Sequence, residues 1–127
     1  MRKFLFTLLA LGCVATQAHA AESANVAAGK LVYLHQCSDC HSNQPHMDRF
    51  GPTLAGVYGR MAGTAPLHRY SKAMKSAHIR WDAQTLNGFL KDPRAYIHGT
   101  IMPYSGLASA SARADVIAYL QSISPKS

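Results

Sequence analysis

Acidic residues are scarce in this sequence. Asp and Glu number six among 127 residues, against thirteen Lys and Arg, so the formal net charge at pH 7 is +7. An excess of positive charge favours acidic protein partners or an anionic membrane surface. The sequence contains no run of Lys and Arg of the kind that binds nucleic acid. An exported protein would also be separated from the nucleic acid of the cell.

Long hydrophobic runs are also absent, and a bilayer-spanning helix needs about 20 apolar residues. The first twenty residues have a positive start, a shorter apolar centre and an Ala-x-Ala ending at Ala20, which is typical of a secretory signal peptide. An uncleaved membrane anchor is the alternative. We predict a signal peptide at residues 1–20, cleaved after Ala20, and a mature domain at residues 21–127 in the periplasm. Cleavage removes Arg2 and Lys3 and no acid, which lowers the charge from +7 to +5.

Cysteine is scarce as well, with only three residues in the chain. Cys13 lies in the predicted signal peptide and its surroundings resemble a lipoprotein cleavage site only faintly, so we expect it to be lost. The mature chain keeps Cys37 and Cys40, followed at once by His41, in the pattern C-x-x-C-H. A zinc finger would need a second pair of ligands at short spacing, and a thioredoxin-type motif would need a βαβ pattern. The sequence has neither, and a disulfide across two residues is rarely favourable.

The pattern C-x-x-C-H is typical of covalent haem attachment. Cys37 and Cys40 lie about one helical turn apart, so their thiols can add to the two vinyl groups at one edge of a porphyrin. His41 follows directly and can reach the iron from one face as a neutral imidazole. The sequence therefore predicts one covalent haem c bound through Cys37 and Cys40.

The opposite face of the iron needs a second ligand or stays open. Histidines and four methionines are available after cleavage, and a lone methionine usually fills space in a core. Met102 differs from Met47, Met61 and Met74 because it lies in GTIMPYSGL, an irregular stretch with glycine and proline. Such a loop could fold over the face opposite the histidine.

The rest of the chain predicts an all-α domain, because no alternating strand pattern of convincing length is present. The predicted helices run from about Ser23 to Gln36, Ser71 to Ala77, the cap Asp82 through Leu90, Pro93 to Ile97, and Ser109 to Ser122. The expected buried faces are Val26, Gly29 and Tyr33 on the first helix, and Val116, Ile117, Tyr119 and Leu120 on the last. Gly29 suggests a close approach by another element. Residues 42–69 are rich in Gly and Pro and predict long loops, which usually surround something functional.

From about Val26 to Leu120 the chain resembles class I cytochrome c, especially its mitochondrial and cytochrome c2 branch. The resemblance rests on ordered motifs, namely GKLVYLHQCSDCH, GPTLAGVYGR, APLHRYSKA, IRWDAQTLNGFLKDPRAYIHGTIMPYSGL and RADVIAYL. It implies the small class I cytochrome c fold, in which the N- and C-terminal helices cross and loops and short helices wrap the haem. It also implies an electron carrier rather than an enzyme.

The resemblance assigns roles to single residues. His41 and Met102 match the axial ligands of the iron, and Pro52 matches the proline whose carbonyl accepts the other ring N–H of the ligand histidine. Positions that contact or lie near the haem propionates are matched by Arg60, Tyr70, Trp81 and Thr100. Gly29 and Tyr33 match the pair that packs the first helix across the last. Taken one at a time, Trp81 also fits a core aromatic, Arg60 a surface charge and Tyr70 a loop anchor.

Several positions depart from the family pattern. Phe89 stands where a tyrosine often donates a hydrogen bond to the methionine sulfur, which phenylalanine cannot do. His98 replaces a proline before Gly99, and this replacement could loosen the ligand loop. Ile101 and Gln36 stand where lysines are common, so the basic ring around the haem edge is thinner than in the mitochondrial proteins.

We expect a monomeric periplasmic electron carrier that works with redox proteins, as in a respiratory chain. The expected donor is a cytochrome complex and the expected acceptor is an oxidase, a reductase or a reaction centre, with transient docking on membrane complexes. Arg94, with Lys91 nearby, is the expected docking contact. Two alternatives stay open: a haem subunit of a larger dehydrogenase or oxidase complex, and a ligand-binding or peroxidatic haem protein with a labile sixth site.

Overall fold

The computed structural model describes residues 23–125. The predicted signal peptide, its cleavage after Ala20 and the loss of Cys13 lie outside the described residues. Within the described range, helices α1 to α5 are joined by long loops and span Val26–Gln36, Lys72–Lys75, Ala83–Lys91, Pro93–Tyr96 and Ala110–Ser122. The same range has no strand beyond an isolated antiparallel bridge between Met61 and Arg80, so the all-α prediction is confirmed there. None of these helices is long and apolar enough to cross a bilayer.

Side-chain caps determine where the helices begin. Asn25 accepts hydrogen bonds from two backbone N–H groups of the first turn, so α1 starts at Val26, slightly later than predicted. Asp82 caps α3 in a reciprocal capping box with Thr85. Ser109 caps α5. The predicted starts of α3 and α5 are confirmed because each depends on a local capping signal.

The two short helices also lie close to their predicted positions. Ser71 caps α2, which ends at Lys75 and is shorter than predicted. Proline occupies the first position of α4, where its missing N–H removes no helical hydrogen bond. The predicted loop region 42–69 contains no helix.

Helices α1 and α5 cross at Gly29. A Cβ at this position would overlap the carbonyl oxygen of Asp115, so only glycine allows the two backbones to come this close. The rings of Tyr33 and Tyr119 pack beside the crossing with centroids 5.4 Å apart. The close approach predicted from Gly29 is confirmed. Val26, by contrast, is 46% exposed, so the prediction that it shares the buried face is wrong.

The core is built on α5 and the elements that pack against it. The predicted stripe of α5 is buried, and it packs with Tyr33, Val57, Ala62, Trp81, Leu86, Phe89 and Ile97. Arg113, near the start of α5, is buried as well and donates to the side chain of Asn87 and to the carbonyl oxygens of Leu107 and Ala108. These bonds satisfy a buried charge and fasten the segment before α5 to α3.

Candidate functional site

The C-x-x-C-H motif lies in a turn that continues directly from α1, here called the attachment turn (residues 37–41). The N–H of Cys37 donates to the carbonyl of Tyr33 at 2.9 Å, and those of Cys40 and His41 donate to the carbonyl of Cys37 at 3.1 and 2.9 Å. Cys37 and Cys40 form no disulfide with each other and are half-buried. Burial raises the pKa of Cys37 to about 11, and Cys40 adds to the rise, so the Cys37 thiol is neutral at pH 7.

The surroundings of His41 favour a neutral imidazole with one available nitrogen. Its Nδ1 lies 2.8 Å from the carbonyl oxygen of Pro52, so Nδ1 carries the proton of the neutral ring and donates it. Burial lowers the pKa of His41, against the opposite effect of the Pro52 carbonyl. The ring makes no other hydrogen bond within residues 23–125. Nε2 therefore keeps its lone pair for a metal.

Two further contacts hold His41 in place. The hydroxyl of Tyr33 donates to the carbonyl of His41 at 2.8 Å. Gly51 packs directly on the ring, and a Cβ there would overlap the ring atoms. The N–H of Gly51 also donates to the carbonyl of Cys40 at 2.8 Å. The loop that carries Pro52 is therefore bound to the attachment turn through its backbone.

Met102 lies in the irregular segment between α4 and α5, here called the Met102 loop (residues 98–108). Its side chain is half-buried and packs against the core. The N–H of Tyr104 donates to the carbonyl of Met102 at 2.9 Å. Gly99 and Gly106 have φ of 93° and 110°, a conformation that glycine adopts without strain, and so allow the turns on either side of the methionine.

The other methionines lie in different settings. Met47 is 51% exposed. Met61 is half-buried and forms the isolated bridge with Arg80, and Met74 is half-buried within α2. Met74 packs against the core, which is the usual use of a lone methionine.

Three of the four residues matched to propionate neighbours share one region. Arg60 is half-buried and donates to two backbone carbonyls of the preceding loop at 3.3 and 3.0 Å. The N–H of buried Trp81 donates to the carbonyl of Arg60 at 2.9 Å. The hydroxyl of Tyr70 accepts from the N–H of Ala65 at 3.3 Å, and burial raises its pKa while the Arg60 guanidinium lowers it. Arg60, Tyr70 and Trp81 therefore lie together, and their contact with a haem remains a prediction.

Thr100 lies in the Met102 loop. Its Oγ1 lies 3.5 Å from the N–H nitrogen of Met102. In the part of the chain that the structure describes, no hydrogen bond joins Thr100 to Arg60, Tyr70 or Trp81. Contact between Thr100 and a haem propionate therefore remains a prediction as well.

Sequence reasoning missed a half-buried carboxylate close to the attachment turn. Asp48 Oδ1 accepts from the N–H of Thr53 at 2.9 Å. Its Oδ2 is buried, has no hydrogen-bond partner among residues 23–125 and lies 3.9 Å from Nδ1 of His68. His68 packs edge-on against Tyr70, with centroids 4.8 Å apart. These contacts join two loops whose sequences carry no signal of pairing.

A second missed contact involves Gln36, which the sequence marks only as the absence of a family lysine. The hydroxyl of Tyr104 donates to Oε1 of Gln36 at 3.2 Å. Burial raises the pKa of Tyr104 above its ordinary value of 10.0, so the hydroxyl is protonated at neutral pH and can donate. This bond joins the Met102 loop to the end of α1.

These residues fit a covalent haem c. The attachment turn supplies two thiols and an imidazole with Nε2 available, and the Met102 loop supplies a thioether. Apolar side chains that pack against the core remain only partly buried, as a large apolar cofactor requires, among them Leu54, Leu90 and Leu107. Within residues 23–125, no group of three or more His, Cys, Asp or Glu side chains is placed to hold a bare metal ion.

Comparison with known proteins identifies the class. The sequence pattern of the family described as Cytochrome c matches residues 26–124, so the chain belongs to the cytochrome c family. Cytochrome c of Euglena viridis is 41% identical over 95 residues, which cover 75% of this chain and 93% of that protein. Cytochrome c2 of Afifella marina is 45% identical over 100 residues, which cover 76% of this chain and 80% of that protein.

The fold agrees with a solved structure of the same class. Cytochrome cH from Methylobacterium extorquens is similar with a TM-score of 0.72 and 34% sequence identity, and the match covers 77% of this chain and 98% of that one. The predicted class I cytochrome c fold is thereby confirmed. Cys37 and Cys40 attach one covalent haem c, and the chain is an electron-transfer haem protein that works with redox partners.

Proposed function

We propose that this protein is a soluble periplasmic electron carrier, not an enzyme, in which His41 and Met102 hold the haem iron from opposite faces. The observation that carries the proposal is the hydrogen bond from His41 Nδ1 to the Pro52 carbonyl, which leaves Nε2 available. The haem iron, when bound, takes up and releases one electron reversibly. The chain binds the haem covalently, fixes the axial ligands and keeps other ligands away.

Met102 would raise the reduction potential. A thioether sulfur is a soft ligand and favours ferrous over ferric iron, as His/Met ligation does in c-type cytochromes. Burial works in the same direction, because a low dielectric disfavours the extra charge of the oxidised state. Phe89, buried against Trp81 with centroids 5.0 Å apart, supplies no hydroxyl to the sulfur. The protein therefore holds Met102 through the conformation of its loop.

A rigid His41 suits electron transfer, because little has to move when the charge on the iron changes. Pro52 orients the ring through a backbone carbonyl, and Gly51 limits its movement by direct packing. Tyr33 holds the backbone of His41 from the side of α1. These contacts fix the ring before the electron arrives.

Arg60, Tyr70, Trp81 and Thr100 are proposed as the neighbours of the two propionates. Arg60 supplies positive charge, Tyr70 supplies a hydroxyl beside it, and Trp81, whose backbone N–H is bonded to the Arg60 carbonyl, supplies an indole N–H. Thr100 supplies a second hydroxyl from the Met102 loop. A positive charge beside buried carboxylates compensates part of their desolvation.

The periplasmic location follows from the N-terminal pattern. Export would cleave after Ala20 and leave residues 21–127 as a monomeric domain. Mass spectrometry of the exported protein should find an N-terminus at Ala21, and size-exclusion chromatography should give one copy per particle. A lipid-modified Cys13 at the N-terminus would place the protein on a membrane instead.

The proposed partners are a cytochrome complex as donor and an oxidase, a reductase or a reaction centre as acceptor. The mature charge of +5 falls to about +3 when the two propionates are counted, which favours an acidic docking surface. Arg94 and Lys91 are exposed and are the proposed contacts. Electron-transfer interfaces are small and transient, and they bury less than about 1,200 Å² of accessible surface in total.

A pyridine haemochrome spectrum followed by a redox titration tests the proposal. Both cysteines should be bonded to the haem, the couple should be reversible, and reduced protein should exclude carbon monoxide at neutral pH. Phe89 and His98 favour one rival, a ligand-binding or peroxidatic protein with a labile sixth site. Carbon monoxide binding to the reduced wild-type protein would support that rival. Tight copurification with a larger dehydrogenase or oxidase would instead support a role as its haem subunit.

A further inference from the structure

One side-chain hydrogen bond joins the two segments that carry the proposed iron ligands. The hydroxyl of Tyr104 donates to Oε1 of Gln36 at 3.2 Å, although the two residues lie 68 positions apart. Gln36 is the last residue of α1 and directly precedes Cys37. Tyr104 lies two residues beyond Met102, and its N–H is bonded to the Met102 carbonyl at 2.9 Å. The bond therefore connects the end of α1, directly before the attachment turn, with the Met102 loop.

The Met102 loop makes few other hydrogen bonds to the rest of the described chain. At its far end, the N–H of Leu107 donates to the carbonyl of Leu90 at 2.8 Å, and the carbonyl of Leu107 accepts from Arg113. Within residues 23–125, the stretch 101–106 makes one hydrogen bond to a distant part of the chain, which is the bond from Tyr104 to Gln36. The centre of the loop thus depends on a single distant polar contact.

We propose that Gln36 and Tyr104 form a latch that holds the Met102 loop closed and thereby sets how readily Met102 leaves the iron. The inference rests on the proposed function, in which Met102 is the sixth ligand. The two residues are positioning residues, because they act on the ligand through the backbone of the loop. The latch offsets two weaknesses of this chain, since Phe89 has no hydroxyl for the sulfur and His98 stands where the family has a stiffening proline.

The expected size of the effect follows from the nature of the bond. It is a hydrogen bond between neutral groups at an exposed site, and such bonds shift an equilibrium by roughly tenfold at most. That change is small against the stability of a whole domain. It is large for a loop whose opening involves only a few contacts, because loop opening is governed by local stability.

The test uses the mature holoprotein and imidazole as an external ligand of ferric iron. Imidazole can bind only when Met102 has left, so its affinity reports how often the loop opens. Tyr104→Phe removes only the hydroxyl and should raise imidazole affinity roughly three- to tenfold. Tyr58→Phe is the matched control, because Tyr58 is also half-buried and its hydroxyl makes no hydrogen bond within residues 23–125. The equilibrium constant for global urea unfolding should rise by no more than the same factor in Tyr104→Phe, because the unfolded chain also lacks the bond, and should stay the same in Tyr58→Phe.

Changes at Gln36 separate the latch from general packing. Gln36→Glu keeps an acceptor oxygen and should keep the wild-type imidazole affinity, whereas Gln36→Met keeps the size but loses the acceptor and should behave like Tyr104→Phe. The double variant with Met at 36 and Phe at 104 should show no further rise, because both changes break one bond. Additive effects of the two changes, or equal effects of the Glu and Met substitutions, would overturn the latch.

Amide hydrogen exchange gives a readout that does not depend on Met102 binding iron. Tyr104→Phe should speed exchange at the N–H groups of Tyr104 and Leu107 by the same factor, and should speed exchange in α5 by no more than the change in global unfolding. Unchanged exchange and unchanged imidazole affinity together would overturn the latch. A faster exchange with unchanged imidazole affinity, in a protein whose Met102→Ala variant keeps the parent spectrum, would instead overturn the ligand assignment and leave the latch supported.

Discussion

The carbonyl oxygen of Pro52 and Nδ1 of His41 lie 2.8 Å apart, and this hydrogen bond orients the imidazole from the backbone of a loop. The same loop places Gly51 against the ring and bonds to the carbonyl of Cys40. The orientation of the histidine therefore depends on the path of the loop rather than on another side chain. Changes that move this loop should alter the iron site, and changes elsewhere on the surface should not.

A methyl group at Gly51 should disturb His41. The new Cβ would overlap the ring, so the loop has to shift and the bond to Pro52 weakens. We expect Gly51→Ala to cost about 1–3 kcal/mol of unfolding free energy and to change the visible spectrum. Gly59→Ala is the control, because its φ of +89° adds backbone strain but no atom of the described residues lies within 4 Å of its Cβ position. A wild-type spectrum in Gly51→Ala would contradict the role given to the loop.

Acid should displace His41 only below the ordinary pKa of histidine. Burial lowers the pKa of His41 from 6.5, so its neutral form contributes stability above that pH and the contribution is lost as pH falls through the lowered value. Iron binding acts in the same direction, since only the neutral ring coordinates. The spectrum of the ferric holoprotein should therefore be unchanged at pH 6.5 and convert at lower pH. A spectrophotometric titration with a midpoint at or above pH 6.5 would show that burial and iron binding do not protect His41 from protonation.

Asp48 should stabilise the two loops that it joins. Asp48→Ala leaves the N–H of Thr53 without its acceptor, and we expect a loss of roughly 1–3 kcal/mol in urea unfolding. Asp48→Asn keeps an oxygen for that N–H and should lose less. Asp39→Ala is the control, because Asp39 is exposed and its carboxylate makes no hydrogen bond among the described residues, so its change should stay within about 0.5 kcal/mol. Equal losses at Asp48 and Asp39 would show that the half-buried carboxylate has no structural role.

Local signals made most of the helices predictable. Asp82 and Ser109 mark helix starts through their own neighbours, and the stripe that ends at Leu120 shows which face of the last helix is buried. Val26 shows the limit of this reasoning. Periodicity defines a face of α1, but α5 covers it only around Gly29 and Tyr33, and only the crossing geometry reveals this.

The attachment turn was predictable because its chemistry is contained in five consecutive residues, 37–41. The contacts between loops were not. The pairs Asp48 with His68 and Gln36 with Tyr104 join polar residues far apart in sequence, at positions without periodicity. Such contacts depend on how the loops pack around the core, and local sequence does not determine this packing.

Docking to an acidic redox partner should be sensitive to salt but only modestly so. The Debye length falls from about 30 Å at 0.01 M salt to about 8 Å at 0.15 M, so the association rate should fall across that range. Arg94→Glu should slow association further and reduce the salt dependence, because Arg94 is exposed beside the proposed docking contact Lys91. Lys30→Glu changes the net charge equally on the exposed side of α1 and should have a smaller effect. Stopped-flow rates that stay flat with salt would indicate an apolar docking surface.

Met102→Ala should lower the reduction potential and let reduced protein bind carbon monoxide. The thioether favours ferrous iron, so its loss stabilises the ferric state and opens the sixth position. Because sulfur binds the harder ferric iron weakly, ligand loss in the parent should appear first in the oxidised form, where lysines at high pH or a neutral His98 can compete. Met47→Ala, Met61→Ala and Met74→Ala are the controls and should change neither property. Redox titration and carbon monoxide difference spectra decide the matter: a Met102→Ala protein with the parent's potential, spectrum and exclusion of carbon monoxide would mean that another residue holds the iron.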